Sequence, residues 1–264
     1  MRGILQRIRS YLAFFGLDPS KSIRSLKGLP VYFHDLKTLK RQAQATGDQF
    51  PLVSLYPCLG ERFTDSGSAA GHYFHQDLLV ARRVYQNHPS HHVDVGSRMD
   101  GLVAHVASFR EIEVIDIRPQ RNPIPNVTFR QADMMAPLHE SLHKCCDSLS
   151  SLHAIEHFGL GRYSDPVRYD GHLLGLNNMY RLLKSGGKFY LSAPIGPQRI
   201  EFNAHRVFTV DYLLECFADK YQVDGFSFVD DRGSLHENVA LSADEVRRNF
   251  GCRFGCGIFE LTKL

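Results

Sequence analysis

The stretch H-H-V-D-V-G-S-R-M-D-G, residues 91–101, decides how the rest of the chain is read. Val93, Asp94 and Val95 close an apolar run of the kind that ends in a buried strand. Gly96 lacks a Cβ and permits a sharp turn, and residues 99–109 carry apolar side chains at helical spacing. A strand, a glycine turn and a helix start, in that order, present backbone N–H groups where a polar ligand can sit. The same stretch is equally an ordinary strand-to-helix turn, so its meaning depends on what flanks it.

Downstream, strand-like and helix-like segments alternate. Strands are expected over residues 113–117, 127–131, 146–152 and 188–193, with helices over residues 169–183 and 209–217. Residues 221–229 and 257–261 read as two closing strands, separated by Asp230, Arg232, Gly233 and a polar helix. With the opening strand this predicts an α/β chain with a doubly wound, mostly parallel, seven-stranded sheet over residues 71–264. Residues 1–70 are expected to form a helical and loop extension: helix over 35–45, extended chain over 51–57, and a small polar loop over 65–71. A helix over residues 72–87, with Phe74, Leu78, Val84 and Tyr85 as its apolar positions, leads into the first strand.

Composition excludes several classes. The 264 residues are 43% hydrophobic and 22% charged, with 18 Phe and 11 Tyr, enough to build one sizeable core without Trp. A net charge of +3 without a basic stripe gives no sign of nucleic-acid binding. Six scattered cysteines are too sparse for a disulfide scaffold and fit a reducing cytoplasm; Cys252 and Cys256 form a C-x3-C without a second ligand pair, which reads as buried or loop thiols and no metal site. No apolar run reaches the roughly 18–20 residues of a membrane span. In residues 1–17, Ile4, Leu5, Ile8, Leu12 and Phe15 share a helical face with Arg2, Arg7 and Arg9 elsewhere. Such a face docks on the protein's own core, on a second subunit or peripherally on a membrane.

In open parallel sheets, ligands lie outside the carboxyl ends of the strands, near the point where strand order reverses. Asp94 and Gly96 end the first strand, Asp116 the second, Asp133 follows the third, residues 151–157 follow the fourth and residues 194–206 the fifth. Asp116 stands 20 residues beyond Gly96, the spacing at which a strand-end carboxylate meets ribose hydroxyls. Asp133, in Q-A-D-M-M, is placed to read an exocyclic amine. Either aspartate alone also fits a helix cap or solvated turn.

Through D-V-G-S-R-M-D-G, V-I-D-I-R-P, Q-A-D, S-L-S-S-L-H-A-I-E-H-F-G-L-G-R-Y-S-D-P, L-L-K-S-G-G-K-F-Y-L-S-A-P-I-G and F-N-A-H-R-V-F, the chain resembles the class I S-adenosylmethionine-dependent methyltransferases over about residues 55–235. Within that type it resembles a family of uncharacterised methyltransferase-like proteins. The resemblance implies S-adenosylmethionine as cofactor. Asp94, Gly96, Ser97, Arg98 and Gly101 would face its methionine part, Asp116 and Ile117 its ribose, and Asp133 and Met134 its adenine. Ser151 and Leu152 would complete the wall. Residues 182–188 match the helix-to-strand turn of that fold. One departure stands out: Arg98 and Asp100 occupy the second and third glycine positions of the usual turn, and Gly101 comes one place late. A side chain at 98 limits backbone approach to a ligand, and Arg98 can pair with a bound carboxylate or with Asp100.

Methyl transfer to a hydroxyl needs an aligned nucleophile and a base, and imidazole suits that task near neutral pH. His153, His157 and His205 are the candidate bases, Glu156 can orient one of them, and Arg206 and Tyr163 are candidate contacts to the acceptor. The expected acceptor is small and polar, a sugar or glycan-precursor hydroxyl. Two other readings remain open. H-A-I-E-H, residues 153–157, matches the H-x-x-E-H zinc-peptidase pattern, which needs a long helix through the motif. The altered turn also suits a non-catalytic module that keeps the fold for binding.

Overall fold

The computed structural model describes residues 15–46, 50–67 and 69–264, and these divide between two compact units, Met1–Ser68 and Ala69–Leu264. Most of the amphipathic face expected over residues 1–17 lies outside the described residues. In the first unit, helix α1 (Pro19–Thr46) is longer than the sequence reading of 35–45. Asp18 accepts from the backbone N–H of Ser20 and of Lys21, and Pro19 occupies the first helical position, where a missing N–H costs nothing. Among the described residues, no helix is long and apolar enough to cross a membrane.

The second unit opens with helix α2 (His72–Asn87) and then alternates: β1 (His92–Val95), a wide turn over Met99–Val103 continuing into α3 (Ala104–Ala107), β2 (Ile112–Asp116), β3 (Val127–Gln131) and β4 (Cys146–Leu152). It continues with α4 (Gly171–Leu182), β5 (Leu183–Ile195), the hairpin β6 (Arg199–Glu201) and β7 (His205–Val207), α5 (Val210–Phe217) and β8 (Tyr221–Val229). The short β9 (Leu235–His236), α6 (Ala243–Arg247) and β10 (Gly255–Lys263) complete it. The main sheet runs β3-β2-β1-β4-β5-β10-β8-β9. The seven expected strands are all present, and β9 adds a two-residue edge. β1 to β5 are mutually parallel, whereas β10 is antiparallel to both β5 and β8.

β1 and β4 are covered on both faces and buried at nearly every position, even where they carry His92, Asp94, Ser148, Ser150 and Ser151. One face carries Val93, Val95, Leu149 and Leu191 against Leu176 and Met179 of α4 and Leu213 of α5. The other carries Ile112, Val114 and Ile258 against Leu79, Val80 and Val84 of α2. Each fully buried side chain of this kind stabilises the fold by about 1.5–3 kcal/mol. Pairing of β4 with β5 jumps from Cys146–Leu183 to Ser148–Lys188, so residues 184–187 loop out of register, with Gly186 at φ +76°. That is the turn expected over 182–188, displaced into the start of the strand.

β1 lies between β2 and β4, so chain order reverses at its edge. This switch point is where an open α/β sheet leaves a crevice.

Candidate active site

Two polar residues of β1 are fully buried, and their hydrogen bonds explain the turn that follows. The Asp94 carboxylate accepts from the backbone N–H of Ser97 (3.0 Å), from the Ser97 hydroxyl (2.6 Å) and from the Ser150 hydroxyl (2.5 Å). Burial nevertheless pushes its pKa up to about 6. Because Ser150 donates to Asp94, its oxygen accepts from His92 Nε2 (3.1 Å), which leaves His92 Nδ1 to accept from Ser148 (2.7 Å). The Ser97 hydroxyl oxygen in turn accepts from the backbone N–H of Leu152 (3.0 Å), and the Ser151 hydroxyl donates to the Val95 carbonyl (2.9 Å). The ends of β1 and β4 are thereby locked together. Asp94, Ser97, Ser151 and Leu152, expected as cofactor contacts, form the frame behind the crevice instead and do not line it, because their polar groups are spent on one another and on the strand ends.

Gly96 does line it. Its φ of +73° favours glycine, and an added Cβ would approach Ala154 Cβ to 3.0 Å. Arg98 has φ −71° and ψ 133°, values any residue adopts, so that position does not require glycine. Its guanidinium grips Asp100 through Nε (3.0 Å) and Nη2 (2.7 Å) and lies over the Tyr73 ring at 4.7 Å. Gly101 serves a different purpose from the one expected: a Cβ there would lie 2.2 Å from Asp77 Oδ2, so this glycine makes room for α2 and does not line the crevice.

The crevice itself is a cavity of about 160 Å³ at the carboxyl ends of β1, β2 and β4. Gly96, Arg98, Asp116, Ile117, Asp133, Met134, His153, His157 and Tyr163, all singled out by sequence, line it, joined by Tyr73, Ile115, Arg118, Met135, Phe158 and Asp165. Asp116 already has a partner: Arg118 donates to Oδ1 from Nε (3.0 Å) and to Oδ2 from Nη2 (2.6 Å), and it stacks on Tyr163 at 4.5 Å. Asp133 Oδ1 accepts from the backbone N–H of Met135 (2.8 Å), and no described residue bonds its other oxygen. The Asp165 carboxylate accepts from the backbone N–H groups of Gly159, Gly161 and Tyr163 and so shapes the loop that presents Tyr163.

After β4 the chain makes one tight turn, Ile155–His157, of three residues. His153 precedes it at φ +51°, and Phe158 leaves it in extended conformation. The H-x-x-E-H zinc reading is therefore corrected: without a continuous helix, the two histidines do not stand one helical turn apart on a common face. His153 Nδ1 instead bonds Glu156 Oε1 at 2.6 Å, inside the protein. Burial would push the Glu156 carboxyl up, but the charge and hydrogen bond of His153 outweigh it, and its pKa falls below the ordinary value. His153 behaves reciprocally: burial disfavours its charged form, its contacts with Cys256 and Glu156 outweigh that, and its pKa is raised. His153 Nε2 and Glu156 Oε2 are buried without hydrogen-bond partners.

His157 is held by the β6–β7 hairpin. Its Nδ1 lies 2.6 Å from the Ala204 carbonyl, which only accepts, so Nδ1 carries the proton and Nε2 keeps a lone pair. Burial lowers its pKa, keeping the ring neutral near pH 7. His205 is not at the cavity: its Nε2 lies 3.3 Å from Glu201 Oε2, outside hydrogen-bond geometry, and its ring packs on Phe254 at 4.9 Å. Arg206 is also withdrawn from the role expected for it. Four carbonyls, those of Glu156, Phe158, Arg168 and Tyr169, accept from its Nη1 and Nη2, so it ties loops together beneath the site.

Five parallel strands in the order 3-2-1-4-5, followed by one antiparallel strand inserted before the last parallel one, make this the Rossmann-like fold of class I S-adenosylmethionine-dependent methyltransferases. Residues 102–244 match the family model described as Caenorhabditis protein of unknown function, DUF268; the match spans more than half of the chain, which belongs to that family. No curated protein sequence matches it. Among solved structures, the chain is similar to the [4+2]-cyclase SpnF, at 13% identity and TM-score 0.49 over 81% of this chain and 85% of that one. It is similar also to the MccD protein, at 13% and 0.48 over 72% and 96%. A third is N-methyltransferase NodS from Bradyrhizobium japonicum WM9 in complex with S-adenosyl-L-homocysteine, at 11% and 0.47 over 77% and 91%.

Proposed function

We propose that the chain is an S-adenosylmethionine-dependent methyltransferase acting on a small polar acceptor, with a sugar or glycan-precursor hydroxyl as the acceptor class. The observation that carries this reading is the meeting, in one switch-point cavity, of Gly96, Asp116 and Asp133 with a histidine whose lone pair is fixed by its tautomer. The residues present fit the cofactor. The bare Cα of Gly96 leaves space that a Cβ would narrow, the second oxygen of Asp133 has no described partner, and Ile115, Ile117, Met134 and Phe158 supply apolar walls between the two carboxylates. Asp116 would hold the ribose, Asp133 the adenine amine, and Gly96 with Arg98 the methionine end. When bound, S-adenosylmethionine supplies an electrophilic methyl group on a sulfonium.

The chain's own residues then have two tasks. His157 Nε2 takes the proton of an acceptor hydroxyl, while Nδ1–H stays on the Ala204 carbonyl and keeps the ring in place. Tyr163, edge-on to His157 at 5.5 Å, gives the acceptor an aromatic wall. The buried hydrogen bond between Glu156 and His153 braces the loop. All six cysteines are unpaired, which supports a reducing compartment such as the cytoplasm.

Calorimetry with S-adenosylmethionine and S-adenosylhomocysteine tests the reading. Binding is expected, with Asp116→Ala weakening it more than His205→Ala. Folded protein that binds neither ligand at millimolar concentration would leave the non-catalytic module, in which the Arg98–Asp100 pair closes the turn, as the better account. Transfer of labelled methyl groups to a panel of sugars and sugar phosphates tests the acceptor class.

A further inference from the structure

Beside the cavity, His72 at the first position of α2, His153 after β4 and Cys256 in β10 each present a ligand-type atom, and the three atoms lie within 4.8 Å of one another. We propose that these residues bind one zinc ion, with Glu156 as the carboxylate that orients His153. Two imidazoles and a thiolate form a borderline-soft set suited to Zn²⁺, and three protein ligands leave a fourth position open.

An independent observation points to a missing ligand. Nδ1 of His153 is held by Glu156 at 2.6 Å, so Nε2 is its free atom, and Nε2 is buried with no hydrogen-bond partner although the ring is about nine-tenths buried. A buried ring nitrogen left bare costs free energy unless something occupies it. A carboxylate on the far nitrogen of a metal-bound histidine is a recurring arrangement, because it fixes the tautomer and raises the basicity of the ligating atom. Charge also balances. Glu156 is fully buried and Cys256 equally so, and a divalent cation beside one thiolate and one carboxylate leaves no net charge in the interior. On binding, the Cys256 thiol and His153 Nε2 each give up a proton to solvent, the sulfur and the nitrogen lone pair then bonding the metal while Nδ1–H stays on Glu156. His72 and His153 stack at 5.1 Å with planes 13° apart, so binding one ion requires the rings to turn out of that parallel stack. The C-x3-C pattern concealed this set, because the partners of Cys256 come from the far side of the sequence and Cys252 is not among them.

The test uses the full chain, stripped with chelator and reloaded. Zn²⁺ is expected to bind at one per chain, and Co²⁺ in its place to give a thiolate-to-cobalt charge-transfer band in the near ultraviolet. Cys256→Ser abolishes that band, His72→Ala weakens zinc strongly, and Glu156→Gln weakens it about 10–100-fold. His157→Ala leaves zinc affinity unchanged. Should Cys256→Ser fail to fold, alkylation of Cys256 in the wild type gives the answer, since bound zinc protects the thiol. Absence of stoichiometric metal from the folded wild type, a band that survives Cys256→Ser, binding lost in His157→Ala, or a thiol that zinc leaves unprotected would each overturn the assignment. None of these measurements requires methyl transfer, so the zinc site and the proposed function stand or fall separately.

Discussion

The turn after β1 and the turn after β4 face the same cavity, yet they treat their polar atoms in opposite ways. Around the first, every carboxylate and hydroxyl is matched inside the protein: Asp94 accepts three hydrogen bonds, Ser97 both gives and takes, and Arg98 closes on Asp100. Around the second, buried polar capacity is left over, in His153 Nε2 and Glu156 Oε2, and His157 keeps a lone pair on Nε2. A matched network makes a rigid wall. Leftover capacity is what a reacting or coordinated atom requires, so the chemistry of this site belongs to the β4 side and its shape to the β1 side.

If that division is right, the largest effect falls on the second turn and on rate alone. His157→Gln is expected to lower methyl transfer, to whichever acceptor the labelled panel identifies, by about 10²–10⁴-fold. Affinity for S-adenosylhomocysteine should stay near wild type. A variant that loses cofactor affinity instead would move His157 from the acceptor side to the cofactor wall.

The first turn should answer in stability. Asp94→Ala leaves two hydroxyls and a backbone N–H without their acceptor in a fully buried site, a loss of about 3 kcal/mol or more, read by denaturant unfolding. Asp94→Asn keeps an oxygen for one of them and should lose less. Equal stability of Asp94→Ala and wild type would show that the wall is not held this way.

How far sequence reached follows the same division. Strands were legible from short segments set between turn residues and helical patterns, and β3, β4 and β8 begin and end where expected although β4 carries Asp147 and three serines. Helix α2 was located correctly but its inward face was not: Phe74, Leu78 and Tyr85 are all more than 40% exposed, while Gln76 and Asp77 are buried. The reason is that the Ser192 hydroxyl donates to Gln76 Oε1 and Gln76 Nε2 donates to Asp77, and no local pattern reveals a partner more than a hundred residues away. Strand-end residues such as Gly96, Asp116 and Asp133 were legible because topology alone brings them together. Arg206 was misjudged because a charged side chain beside a site resembles a ligand contact until its carbonyl partners are seen. The Arg118 clamp had a visible signal in I-D-I-R, a cation two residues after a strand-end carboxylate.

A pH series separates the wall from its surroundings. His92 is fully buried, and burial, then the charges of Arg110 and His91, lower its pKa to about 3, with Asp147 opposing. An unfolded histidine binds its proton near pH 6.5, so between that value and about 3 the unfolded chain holds the extra proton and stability falls as pH falls. From pH 8 to 5 this amounts to about 2 kcal/mol. Asp94, with its pKa raised to about 6, acts in the other direction, since acidification removes its buried charge. The difference between wild type and His92→Gln isolates the histidine: acid loss is expected to be smaller in the variant, and identical melting profiles from pH 8 to 5 would refute the assignment.

The smallest effect sharpens the comparison most, because it concerns the one cavity residue on the wall side whose hydrogen bonds have to change. Asp116 is proposed to take ribose hydroxyls, yet Arg118 occupies both of its oxygens. The Arg118 side chain is 48% exposed although that of Asp116 is only 11% exposed, and a half-exposed pair of this kind is worth about 1 kcal/mol, so a diol can displace or share it at small cost. Arg118→Ala should therefore leave S-adenosylhomocysteine affinity unchanged or up to about fivefold tighter, whereas Asp116→Ala weakens it. If both variants weaken binding equally, Arg118 is part of the cofactor contact through its stack on Tyr163, and the carboxylate acts only by holding the arginine there. The second outcome would make the β2 end a matched network like that of Asp94, and would leave Asp133 as the sole carboxylate in the cavity free to receive a ligand.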